Sequence, residues 1–145
     1  MASDEEAFYL SDEEVEEVVR RFEGCELSPD EFKHRPHLTV ALNYLRRLPF
    51  EQALACMRRS ILGFIAHHAI PPEVYHETLT VFWVRRVRSF IERNASDRPF
   101  FELANELARE CGDHRVVYEY FSKGLLDSEG ARADWVEPDL KPLDF

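Results

Sequence analysis

Two short runs most constrain what this chain can fold into: Leu10-Ser11-Asp12-Glu13-Glu14-Val15 and Leu27-Ser28-Pro29-Asp30-Glu31-Phe32. Each is a complete helix start. A serine accepts from the backbone N–H three residues on, the glutamate there bonds back, and an apolar pair brackets the box. Pro29 suits the first helical position of the second run, because a helix does not need that N–H. After the first box, Val15, Val18, Val19 and Phe22 recur at helical spacing, and Gly24 is expected to end a helix near 12–23. After the second, Leu38, Ala41, Leu42 and Leu45 form the stripe of a helix expected over 29–47, with a kink or break near Pro36.

The same period continues downstream. Leu54, Met57, Ile61, Phe64 and Ile65 define a third helix from Phe50 to about His68. Ala69-Ile70-Pro71-Pro72 is a turn. Thr80, Trp83, Val84, Val87 and Ile91 define the inward face of a fourth helix, about 72–93. Phe100, Leu103, Leu107 and Ala108 define a fifth over 99–110, and Asp113 caps a short sixth to about 122. From Gly124 the pattern weakens. Pro138 and Pro142 stand among Trp135, Val136, Leu140, Leu143 and Phe145, which reads as an extended tail laid over the bundle. No alternating strand pattern, phosphate-binding glycine loop or internal repeat is present. The expected fold is all-α: one domain of five to six helices, with a loose acidic segment over 1–10, a bundle over 11–123 and a packed tail over 124–145.

Length and composition agree with that. A chain of 145 residues, 45% apolar and with 11 Phe, can build one sizeable core. No apolar run is long enough to span a membrane, and the first residues lack the order of a signal peptide. Cys25, Cys56 and Cys111 are odd in number and form no CxxC pair, so a cytoplasmic location is expected, with Cys56 and Cys111 as core residues. The net charge is −10, and twelve of the 28 acids lie in residues 1–31. Such a balance argues against nucleic acid or anionic membrane as partners. Concentrated in a capped helix, the acids would suit docking onto a basic protein.

Imidazoles carry the only chemistry that stands out. His34 and His37 are three apart at the head of the second stripe, His68 extends the third, and His76 heads the fourth. Up-down order places those helix ends together, so His34, His37, His68 and His76 are expected in one layer, with Glu77 adding a carboxylate. Such a set suits zinc or non-haem iron. The same residues also suit a metal-free hydrogen-bonded network with Tyr44, Tyr75, Glu77, Thr78 and Thr80, or a haem or other organic cofactor, and the expected pocket lining is Tyr44, Tyr75, Thr78, Thr80 and Trp83. His114 is expected at the surface. No activated nucleophile is evident, and the sequence leaves open whether the chain is an enzyme. Two functional readings follow: a small-ligand or metal-binding protein with a histidine-lined polar pocket, or an interaction module that uses the acidic first helix.

Three motifs carry a resemblance: FxHxxHLxxAxxYL at Phe32–Leu45, YHETLTxFW at Tyr75–Trp83 and ARADWVEPDLKPL at Ala131–Leu143. Together they resemble a small family of uncharacterised bacterial all-helical proteins, over most of the chain after residue 26. The resemblance implies the helical fold and brings neither an activity nor site residues.

Overall fold

A computed structural model describes residues 8–94 and 97–145. The acidic residues 1–7 and the loop residues 95–96 lie outside it. The described residues are helical with no strand: α1 Asp12–Glu23, α2 His34–Arg47, α3 Phe50–His67, α4 Glu77–Asn94, α5 Phe100–Cys111, α6 Lys123–Leu126 and α7 Glu129–Ala133. Two tighter helical segments, the single turn Pro72–Val74 and the two turns His114–Glu119, precede α4 and follow α5. None of these helices is long and apolar enough to cross a membrane.

Ser11 caps α1 as its box requires. Its hydroxyl accepts from Glu14 N–H, and the Glu14 carboxylate accepts from Leu10 N–H at 2.9 Å. The left-handed residue that ends α1 is Cys25 (φ 59°), one position beyond Gly24, which holds φ −85°. Residues 8–10 are anchored, contrary to the expected loose segment. Tyr9 exchanges two backbone hydrogen bonds with the Asn105 side chain, and its hydroxyl meets Thr39 Oγ1 at 3.0 Å.

The second box is formed but closes a single turn. Glu31 N–H donates to Ser28 Oγ, and Ser28 N–H donates to the Glu31 carboxylate at 2.8 Å. The helix proper begins only at His34. Pro36 is the cause. It offers no N–H to the Phe32 carbonyl and its ring crowds that turn, whereas at the third position of a helix the missing N–H costs nothing. The expected break therefore becomes the helix start.

Beyond its first turn α2 is enclosed. Every residue from Leu38 to Tyr44 is buried, because α1, α3, α4 and α5 all pack around it. The single stripe expected from sequence is thus only one side of a helix covered all round. The main core joins Val15, Val19 and Phe22 of α1 to Leu38 and Leu42, Ile61 and Phe64, Val84 and Val87, and Leu107. A second cluster forms on the far side of α4, where Phe82 meets Val117, Tyr120, Phe121 and Leu126. Ser122 and Ser128 cap α6 and α7, so the chain remains partly helical to Ala133. Only then does it extend, and Trp135, Val136, Leu143 and Phe145 pack onto the second cluster. Thr78 ties this segment to α4: its hydroxyl lies 2.7 Å from Ala131 O and 2.9 Å from Asp134 O, and it accepts from Val136 N–H.

Candidate functional site

The first turns of α2 and α4 and the last two turns of α3 diverge around a cleft of about 650 Å³. Its walls are mainly carbon: Phe32, Leu38 and Ala41 from the α2 side, Met57, Ile61, Phe64 and Ile65 from α3, Ile70 and Val74 from the turn, and Leu79, Trp83 and Val84 from α4. Lys33, His34, His37, Tyr75, His76, Thr80 and His114 add polar groups, and among the described residues no carboxylate lines it. The expectation of a polar pocket is corrected: this is an apolar cleft with imidazoles in its wall.

The imidazoles differ in what their nitrogens do. His34 Nε2–H donates to Cys111 O at 2.8 Å, satisfying a carbonyl at the end of α5. A carbonyl only accepts, so that bond fixes the proton on Nε2 and leaves a lone pair on Nδ1. The ring stands edge-on to Trp83, with centroids 4.5 Å apart. His37 is the mirror case. Its Nδ1–H donates to Lys33 O at 2.9 Å, its ring stacks on Phe32 at 3.8 Å, and the lone pair is on Nε2. Neither lone pair has a hydrogen-bond partner among the described residues, and neither atom belongs to the sealed interior. Burial disfavours the imidazolium at both positions. It lowers the pKa of His34 and pushes that of His37 down to about 4, against weaker opposing pulls from the carbonyls they bond. Both rings are therefore neutral at pH 7.

His76 spends both nitrogens on structure. Nε2–H donates to Leu126 O at 2.7 Å, and Nδ1 accepts from Leu79 N–H at 3.2 Å, capping the start of α4. In this arrangement it has no lone pair to offer a metal. Burial lowers its pKa as well. Thr80 donates to His76 O and completes the same turn.

The remaining expected site residues separate. Glu77 is buried but turned away from the cleft. Arg58 Nε donates to both its oxygens, at 3.0 and 2.8 Å, Arg58 Nη2 also donates to Oε2, and Tyr75 O–H donates to Oε1 at 2.6 Å. Burial first, then this carboxylate, pushes the Tyr75 phenol up to about 12. His68 ends α3 against Phe64 and does not reach the cleft, and its Nε2 is buried without a hydrogen-bond partner among the described residues. Tyr44 is engaged elsewhere, with Glu23 at 2.7 Å and Ser60 at 2.8 Å, and burial raises its pKa. Thr78 belongs to the tail anchor. Of the expected pocket residues, Tyr75, Thr80 and Trp83 line the cleft, and so do His34, His37 and His76 of the expected ligands. Among the described residues no three His, Cys, Asp or Glu side chains converge as a metal donor set.

Sequence reading missed the apolar walls and the place of His114 in the lining, though His114 is exposed as expected. Stripe residues such as Ile61, Phe64 and Val84 look alike whether they face another helix or a cleft. His114 is exposed on its outer side yet sits 6.0 Å from the His34 ring, placed there by the turn after α5. Compared with family models, with curated proteins and with solved structures, the chain matches none.

Proposed function

We propose that this protein binds an apolar small molecule in the cleft between α2, α3 and α4. One observation carries the reading: a well-packed bundle leaves about 650 Å³ open beside its own core, lined by carbon and edged by a few fixed polar atoms. That volume falls within the roughly 300–1,000 Å³ of small-molecule sites, which are likewise mostly apolar. A bundle of this size would gain stability by closing such a space, since unfilled apolar volume costs dispersion contacts. The neutral rings of His34 and His37 preserve the apolar character at pH 7.

Titration with Nile red, a neutral dye that brightens in apolar surroundings, tests the reading. Saturable one-site binding is expected for the wild type. Ala41→Phe and Thr80→Phe each place a ring in the cleft and should weaken binding at least tenfold while circular dichroism stays helical. Dye binding unchanged in both folded variants would put the site elsewhere and overturn the reading.

A further inference from the structure

The lining of the cleft narrows the chemistry of its ligand. Among the described residues no carboxylate faces the space, so none of them would compensate a desolvated cation. Two ring nitrogens on the α2 side, His34 Nδ1 and His37 Nε2, are fixed as acceptors, because Cys111 O and Lys33 O hold the protons on the opposite nitrogens. At these two atoms a carboxylate head would set lone pairs against lone pairs. The cation that lines the cleft, Lys33, is exposed and so holds its charge in solvent rather than in the apolar space. A neutral group that donates a hydrogen bond meets none of these costs. The stacking of His37 on Phe32 and its bond to Lys33 O fix the ring from two directions, so its Nε2 is held in place before a ligand arrives.

Resting on the cleft being a ligand site, we propose that it selects an apolar alcohol, whose hydroxyl donates a hydrogen bond to Nε2 of His37 while its carbon body lies along Phe64, Ile65 and Leu79. The burial that keeps His37 neutral preserves that acceptor throughout the physiological range. His34 Nδ1, the second open acceptor, lies one helical turn earlier on the same helix and extends the same preference to a diol.

Matched probes with one decyl body test this: 1-decanol, its methyl ether and decanoate, each displacing Nile red from the intact protein. The alcohol should bind about three- to tenfold more tightly than the ether, the worth of one hydrogen bond to a preorganised acceptor. It should also bind more tightly than decanoate. His37→Phe, which keeps the stack on Phe32, should bind alcohol and ether alike. A second readout is the 15N resonance of His37 Nε2 in the wild type, which should move on adding decanol and stay in place with the ether. Equal binding of all three probes, or a preference for decanoate, would overturn the alcohol inference and leave the cleft standing as a site. Failure of every probe and of the dye would instead remove the reading on which it rests.

Discussion

His37 shows how much of this site is decided by one proton. Its ordinary pKa of 6.5 falls to about 4 in the folded chain, chiefly because burial penalises the charged ring. Above pH 6.5 both folded and unfolded forms are neutral and no stability is lost. Between pH 6.5 and about 4 the unfolded chain takes up a proton that the folded chain refuses, so stability falls across that window. A shift of this size is worth on the order of 3 kcal/mol. Urea unfolding at pH 7 and pH 4.5 should therefore show a smaller acid loss for His37→Phe than for the wild type. Equal losses would mean that His37 titrates normally when folded. His34 and His76 shift in the same direction and add to the wild-type loss in both proteins. Helical spacing was enough to single out His34, His37 and His76 in the sequence. The fate of their nitrogens was not legible there, since the carbonyls that bind His34 and His76 lie 77 and 50 residues away. Glu77 was singled out as a neighbour of His76, but adjacent helical residues diverge, and it turned instead to Arg58.

At the level of elements, the ends of α1 to α5 fall within one residue of those expected, while α2 and α4 start five residues later than expected. Both serine boxes form as the sequence requires, yet only the first opens a helix. Pro36 turns the second into an isolated turn and sends Phe32 into the wall of the cleft, where it stacks on Phe22 of α1 at 4.2 Å. Phe22 also lies 5.5 Å from Phe64, a second wall residue. α1 is thus the support behind the cleft, with Val15, Val19 and Phe22 buried and Glu13, Glu14, Glu16 and Glu17 exposed. Phe22→Ala should cost about 3–5 kcal/mol, the usual range for removing a fully buried ring. Urea unfolding measures it, and a loss below about 1 kcal/mol would show that α1 is a loosely held appendage. That outcome would revive the reading of α1 as a docking element.

Across the whole molecule, the sequence made the all-α architecture plain because capping, period and turn chemistry all agree. It pointed to a histidine-lined pocket at these helix ends but did not reveal the apolar walls of the cleft. A cleft is the place where helices fail to touch, and apolar stripes record only that a residue leaves water. The tail was legible as packed from its large side chains, though Ser122 and Ser128 hold its first part in two short helices. Its contacts with Phe82 put a second cluster behind α4, which holds the α4 wall of the cleft from the far side. The central claim, that an apolar small molecule enters between α2, α3 and α4, is tested most directly by methyl resonances of the full chain during titration with 1-decanol. The account predicts saturable shifts at Leu38, Ile61, Ile65 and Val84, which line the cleft, with Val15, Leu107 and Leu126 unmoved. Shifts centred on Leu126 and Leu143, or none at saturating decanol, would contradict it.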